Sequence, residues 1–181
     1  SLLTILLILN GLFALAEMAI VSARKTKLQE MAESGNHGAR TAIDLSESPD
    51  TFLPAVQIGV TGIGVGAGAL GGAELGERLA ELLVAVGVGP RTAGATAFGL
   101  VIALITYGTL VIGELIPKRI ALLYPEKCAS WLSRPLKFFS TVFAWLVRLL
   151  NASTEFALSA VPKPKDTEPA VSAEEIKLIV E

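Results

Sequence analysis

Three long stretches with almost no charged residues limit what this sequence can fold into. They cover residues 2–23, 51–73 and 92–117, and the third is uncharged up to residue 113. A helix needs about 20 apolar residues to cross roughly 30 Å of hydrocarbon, so each stretch is long enough. The mean hydropathy of the chain is also high, at +0.60. The sequence therefore predicts an all-α integral membrane protein with three transmembrane helices in a lipid bilayer.

The charges between these stretches predict their orientation. Arg24, Lys25, Lys27 and Arg40 follow the first stretch, and loops rich in Lys and Arg tend to stay in the cytoplasm. The loop at 74–91 carries more acidic than basic residues and is predicted to lie on the opposite side. We therefore expect the N-terminus outside the cell and the tail in the cytoplasm.

The segments between and after the spans are predicted to lie at the cytoplasmic face. The basic loop shows a loose helical spacing of apolar residues, which predicts one or two short helices. Residues 138–147 are uncharged but too few to cross a bilayer, and they contain several aromatic residues. They suit a helix that lies in the interface or re-enters the membrane part way, within a belt of amphipathic interfacial helices at about 124–160. The predicted membrane domain is thus 1–160.

The end of the sequence has a different composition. Residues 161–170 are rich in proline and charge, which is typical of a linker. Residues 171–181 begin a new element, with Ser172 and Glu175 spaced as a helix capping box. We interpret this element as the start of a cytosolic region.

Composition excludes several classes of function. Cys128 and His37 are the only residues of their types, so neither an internal disulfide nor a multi-histidine metal site is available. The net charge of −2 argues against nucleic acid as a partner. The sequence also contains no phosphate-binding glycine-rich loop of the Walker type. The protein is therefore not expected to be an enzyme.

Glu114 is the most informative single residue, because it lies at the end of the third apolar stretch. A carboxylate inside a span costs about 2.5–3.5 kcal/mol on insertion scales and needs a partner. Pro117 has no N–H, so it cannot donate to the carbonyl of Gly113 four positions earlier. Carboxylate and carbonyl oxygens are ligands that Mg²⁺ binds. The alternative is a structural ion pair of Glu114 with Lys118 or Arg119.

Polar and small residues also mark one face of the second stretch. Gln57 and Thr61 are four positions apart and share a helical face. Their side chains can either line an ion path or bond a neighbouring helix. Gly64, Gly68 and Gly72 continue this face, and their spacing predicts close packing against another helix.

The first stretch contains two polar residues that are seven positions apart, Asn10 and Glu17, and it ends near Ser22. Glu17 either neutralises a cation in transit or bonds a neighbouring helix. Ser22 lies just before the basic loop and is a further candidate oxygen donor.

Three motifs carry a resemblance to a known family. They are residues 16–22 (AEMAIVS) with Lys27 and Leu28 following, residues 57–61 (QIGVT) and residues 113–118 (GELIPK). With these motifs the chain resembles the transmembrane domain of the CorC and CNNM (cyclin M) family of magnesium transport proteins, from residue 2 to about 160. The tail at 171–181 is similar to the connection to the paired CBS domains that follow in that family.

The resemblance implies a homodimer in the bacterial inner (plasma) membrane that holds dehydrated Mg²⁺ between its spans. In the family, serine, asparagine and glutamate side chains bind the ion together with backbone oxygens. Glu114 matches the family glutamate. Many relatives have asparagine after the Ile-Gly of the second span, where this chain has Val60 and Thr61. The predicted metal ligands are Glu114, Gly113, Ser22, Thr61 and Gln57.

These expectations favour magnesium export by alternating access around a site that contains Glu114. The resemblance implies Na⁺ as the coupling ion and implies ATP binding to the CBS domains of the full-length protein, not to this part of it. The alternative is a magnesium-sensing or scaffolding membrane module that binds the ion without transporting it.

Overall fold

A computed structural model describes residues 2–159, and within them every regular element is a helix. The predictions for the linker at 161–170 and for the element at 171–181 lie outside the described residues. Contacts divide the chain into two units, residues 1–147 and residues 148–181. The described part of the second unit is the end of the last helix.

The helices are α1 (Leu2–Ser22), α2 (Lys25–Glu33), α3 (His37–Ser46), α4 (Pro49–Ala85), α5 (Pro90–Leu110), a π-helical turn (Val111–Leu115), α6 (Ile116–Leu123), α7 (Pro125–Val142) and α8 (Ala144–Leu158).

Three helical segments are long and apolar enough to cross a membrane, which confirms the predicted fold class. They are α1, α4 and the continuous run Pro90–Leu123 formed by α5, the π-turn and α6. In their most apolar windows only 33%, 22% and 11% of the residues, respectively, are buried within the chain. Such hydrophobic surfaces cannot remain in water, so they require lipid or another apolar partner.

The second spanning helix is longer than the sequence predicted. α4 continues to Ala85, so the predicted loop bounds of 74–91 are wrong, and only residues 86–89 separate α4 from α5. The external position predicted for this connection stays a prediction. The acidic and basic residues of this segment have helical spacing. Arg78 and Glu74, for example, form an i,i+4 ion pair at 3.4 Å. The helix ends where Gly87 adopts a positive φ of 95°, a conformation that favours glycine.

The best-packed part of the first unit lies at the end of the spans next to the basic loop. There the end of α1 and the start of α4 pack with α2, α3 and α7. Leu28 of α2 and Phe52 of α4 are among the largest fully buried side chains. The basic loop, predicted to form one or two short helices, forms two, α2 and α3.

α3 and α7 approach each other closely at Gly38. A side-chain carbon at Gly38 would overlap the backbone carbonyl of Ser130. Ser133 donates a hydrogen bond to the Gly38 carbonyl at 2.7 Å, and Ser130 donates to the Asn36 side chain at 2.8 Å. The same Asn36 oxygen caps α3 by accepting from the backbone N–H groups of Gly38 and Ala39.

Residues 138–147 do not form the single short interfacial helix that the sequence predicted. α7 ends at Val142 and α8 begins at Ala144, so the segment is shared between two helices. Phe139 faces the first span, and its ring centroid lies 4.6 Å from that of Phe13. Phe138 is 73% exposed and Trp145 is 64% exposed, which suits contact with lipid or the membrane interface.

The glycines of α4 also differ from the prediction. Side-chain carbons built at Gly64, Gly68 and Gly72 would meet nothing within 4 Å, so the predicted packing of this face does not occur among residues 2–159. Close helix contacts occur instead at Gly59, which lies against the ring of Phe13, and at Gly71, which lies against Ile105. The sequence shows the small residues, but the direction in which each one faces depends on the tertiary packing.

Gly38→Ala is expected to destabilise the protein by about 1–3 kcal/mol, because the added methyl group meets a backbone carbonyl that cannot rotate away. The thermal unfolding midpoint in detergent should fall by several degrees. Gly99→Ala in α5 is the matched control, because nothing lies within 4 Å of the added atom. An unchanged midpoint for Gly38→Ala would contradict the close approach of α3 and α7.

Candidate cation site

A π-helical turn lies within the third spanning segment, and Pro117 explains its position. The turn covers Val111–Leu115, and the N–H of Ile116 bonds to the carbonyl of Val111, five residues earlier. Pro117 follows without an N–H, so the carbonyl of Gly113 lacks its usual donor from four residues ahead. Isolated π-turns of this kind often occur at functional sites.

The carbonyl of Gly113 accepts a hydrogen bond from the first span. Asn10, which is only 1% exposed, donates its side-chain N–H to this oxygen at 3.0 Å. The expectation of a carbonyl without a donor is therefore corrected: the oxygen freed by Pro117 has a partner on α1. The side-chain oxygen of Asn10, Oδ1, is buried and has no hydrogen-bond partner among the described residues.

Small residues allow α1 to approach the π-turn this closely. A side-chain carbon at Gly113 would lie 2.9 Å from the Asn10 amide nitrogen, and one at Gly11 would lie 3.1 Å from the Pro117 ring. Both glycines are buried. The backbone next to Glu114 is therefore held directly against the first span.

Two carboxylates share one ammonium group beside this contact. Lys118 Nζ lies 2.7 Å from Glu114 Oε1 and 3.9 Å from Glu17 Oε2. The side chains of Glu114, Lys118 and Glu17 are 34%, 33% and 26% exposed, so all three are partly removed from solvent. The ion pair with Lys118 that the sequence allowed as an alternative is present, and Glu17 of the first span adds to it.

The other predicted ligands do not join this group. Gln57 donates to Thr61 at 3.4 Å, and both side chains are exposed on α4. Ser22 is the last residue of α1. Within residues 2–159, no hydrogen bond connects Ser22, Gln57 or Thr61 with Glu114, and no group of three or more His, Cys, Asp or Glu side chains is close enough to hold a metal ion by itself.

A second charged cluster lies at the start of α7. The Glu126 carboxylate is only 8% exposed, and it accepts a hydrogen bond from Arg24 Nε at 3.0 Å, with Lys27 Nζ at 3.8 Å. Burial alone would raise the pKa of Glu126. The hydrogen bond from Arg24 and the charges of Lys27 and Arg24 outweigh that effect, so the pKa is lowered from its ordinary value. This cluster joins the end of the first span to α7.

Comparison with known proteins then identifies the family. The profile of the CNNM family, described as the cyclin M transmembrane N-terminal domain, matches residues 2–181. The chain belongs to the CNNM family. The resemblance seen in the three sequence motifs is thereby confirmed.

The CNNM domain has relatives in several bacteria. A UPF0053 protein of Synechocystis is 41% identical over 98% of this chain and 40% of its own length. The UPF0053 inner membrane protein YfjD of Escherichia coli is 29% identical over 95% of the chain and 37% of its own length. A polyamine export protein of Haemophilus influenzae is 30% identical over 97% of the chain and 40% of its own length. The chain thus spans about 40% of the length of these relatives.

Three residues of the CNNM domain's charged sites make contacts that the sequence does not predict. The sequence marks Asn10 only by its spacing from Glu17, and the hydrogen bond of its amide to the proline-freed carbonyl depends on how the helices dock. Lys118 is named by the sequence as an ion-pair partner of Glu114, but its contact with Glu17 depends on the position of α1. Glu126 follows Pro125 in the first turn of a helix, a position that favours acidic residues, and this was its available signal.

The Glu126 cluster predicts a loss of stability in acid. A lowered pKa in the folded state contributes stability above the ordinary carboxyl pKa of 4.5, and this stability is lost as the pH falls through the lowered value. The thermal unfolding midpoint of the wild type should therefore decrease as the pH is lowered below 4.5. In Glu126→Gln the midpoint should start lower and change less over this range, as measured by thermal melts from about pH 3 to about pH 7.

Glu47→Gln is the matched control for this measurement. Glu47 also pairs with a basic side chain, Lys25 at 3.6 Å, but it is 60% exposed, so its loss should leave the pH dependence nearly as in the wild type. An equal acid dependence in Glu126→Gln and the wild type would contradict the assignment to Glu126.

Proposed function

We propose that this CNNM domain transports magnesium ions across the membrane and that Glu114 is the carboxylate that receives the ion. The observation that supports this proposal is the arrangement of Glu114 and Glu17 around a cation, the Lys118 ammonium, inside the spanning region. Two carboxylates that already hold one positive charge there form an environment suited to a cargo cation.

The donor set fits a hard cation. Mg²⁺ binds through one or two carboxylates and keeps several of its waters, so it does not require a cage made only of protein groups. Asn10 adds a buried amide oxygen that has no partner among the described residues. Asn10 contacts the π-turn and Glu17 contacts Lys118, so both residues lie on the face of α1 that meets the third span.

The other predicted ligands stay predictions. The Gly113 carbonyl has a second lone pair besides the one that Asn10 occupies. Gln57 donates its side-chain N–H to Thr61, which leaves the amide oxygen of Gln57 and a lone pair of the Thr61 oxygen for an ion. Ser22 has no described contact with Glu114. These residues complete the proposed shell only in a conformation with different side-chain positions.

The proposal includes export by alternating access, with Na⁺ as the coupling ion, and for both the support is the resemblance to the family. The basic residues that follow the first span support an external N-terminus and a cytoplasmic tail. The description of the Escherichia coli relative as an inner membrane protein supports the bacterial inner membrane as the location.

We also propose a homodimer and a CBS-pair domain that binds ATP in the full-length protein. The resemblance supports both partners. The open face of α4 adds support for the homodimer, because small residues with nothing packed against them allow a second helix to approach closely. A groove of about 550 Å³ beside Gly68 and Gly72, bordered by Phe98 and Ile102 of α5, continues this face.

One specific observation favours a second cargo, an organic polyamine. The group held by Glu114 and Glu17 is a primary ammonium, which is the same chemical group that a polyamine carries at its ends. A relative that is 30% identical is described as a polyamine export protein. The carboxylate pair is the same in both proposals, and the cargo differs.

The test is flux into proteoliposomes that contain the full-length protein, measured with a magnesium-sensitive dye and, in parallel, with labelled spermidine. For the wild type we expect Mg²⁺ flux. Glu114→Gln keeps the shape of the side chain but removes its charge, so it should lower Mg²⁺ binding and flux at least about tenfold. Glu77→Gln, at an exposed position of α4, should change neither measurement.

Each other result points to a different conclusion. Spermidine flux without Mg²⁺ flux would show that the cargo is a polyamine and not Mg²⁺. If the wild type binds Mg²⁺ and Glu114→Gln abolishes this binding, but the wild type shows flux of neither compound, the sensing or scaffolding alternative is favoured. Normal Mg²⁺ flux in Glu114→Gln would remove Glu114 from the site.

A further inference from the structure

The position of the Lys118 side chain has a consequence for how cargo binds. Its ammonium lies at hydrogen-bonding distance from Glu114 and within ion-pair distance of Glu17. Glu114 and Lys118 are four positions apart, and Glu17 reaches the same ammonium from another helix. The lysine therefore occupies the place between the carboxylates that a cargo cation would need.

A carboxylate pair without a cation is unfavourable in this environment. The Glu114 side chain is 34% exposed and the Glu17 side chain is 26% exposed, and two like charges near each other in a medium of low dielectric constant repel strongly. Lys118 reduces the formal charge of the group from −2 to −1. A cation of either kind thus stabilises the pair, and the domain supplies one of its own.

The ammonium and a divalent ion cannot both occupy this place. A cation that bound within a few Å of the lysine nitrogen would meet its charge at close range, and Glu114 Oε1 is already engaged at 2.7 Å. We infer that Lys118 is a tethered competitor of the cargo, which fills the carboxylate pair between transport events and swings away as the cargo binds. This inference rests on the proposed function.

The surroundings allow the lysine side chain to exchange without a change of the backbone. The Asn10 bond to Gly113 and the contact of Gly11 with Pro117 hold α1 against the third span. Lys118 has a flexible four-carbon stem and is one-third exposed, so its charged end can turn towards solvent. The exchange is a swap of one cation for another at Glu114, and the carboxylates do not pass through a state without a cation.

Removing the competitor should therefore increase affinity. In the full-length protein, Lys118→Gln is expected to bind Mg²⁺ at least about tenfold more tightly than the wild type, measured by titration calorimetry in detergent. Mg²⁺ flux in proteoliposomes should fall at the same time, because the ion is released more slowly and the empty site lacks its cation. Damage to the structure would lower affinity, so a gain separates competition from a structural role.

Two further variants make the test specific. Lys118→Arg keeps the charge and introduces a guanidinium group, whose several N–H donors can bond both carboxylates at once. The Mg²⁺ affinity of this variant should therefore fall below that of the wild type. This variant tests the inference even if Lys118→Gln does not fold. Arg119→Gln removes the same charge from the adjacent exposed position and should change affinity less than about twofold at physiological salt.

The outcomes distinguish this inference from the proposed function. If Glu114→Gln abolishes Mg²⁺ binding, the transport site stands. The competitor role is then overturned if the Mg²⁺ affinity of Lys118→Gln is unchanged or weaker than that of the wild type. It is also overturned if the affinity of Lys118→Arg is unchanged or tighter. No Mg²⁺ binding by either the wild type or Lys118→Gln would overturn the proposed function, and the inference with it.

Discussion

The hydrogen bond from Asn10 to the Gly113 carbonyl connects the backbone irregularity of the third span to the first span. Pro117 removes one helical donor, and the chain forms a π-turn just before it. In a bilayer, water cannot satisfy the freed carbonyl, and an unpaired backbone group costs several kcal/mol. The amide of Asn10 supplies the partner at 3.0 Å, so the π-helical part of the third span becomes a fixed point of contact between helices.

This contact also determines where the charged residues meet. Glu17 lies two helical turns after Asn10 on α1, and Lys118 lies directly after Pro117 on α6. Once Asn10 and Gly113 are joined, Glu17 and Glu114 face the same ammonium group. Glu17, Glu114 and Lys118 are therefore arranged as one group with a net formal charge of −1. Their cost in the membrane falls because each carboxylate is near a cation.

The two ends of the spanning region are stabilised by different interactions. At the end next to the basic loop, α2, α3 and α7 cover the spans with a packed core, and Glu126 holds Arg24 and Lys27 there. Towards the other end, most apolar side chains face outward, and the glycine face of α4 is open. A packed core fixes side chains on one side, while lipid or another chain is required on the other.

The sequence alone determined the all-α membrane class, the three spans, the helices of the basic loop and the family, because these depend on hydropathy, charge asymmetry and local motifs. It also indicated Glu114 and the missing donor at Pro117, which are local chemistry. Only the tertiary structure decided that Asn10 donates to the Gly113 carbonyl and that Glu17 shares Lys118 with Glu114. It also decided which glycines of α4 contact another helix: among the described residues these are Gly59 and Gly71, and not Gly64 and Gly68. These contacts join residues that are distant in sequence. The rotation and depth of each helix against its neighbours select them, and helical periodicity within one segment does not contain that information.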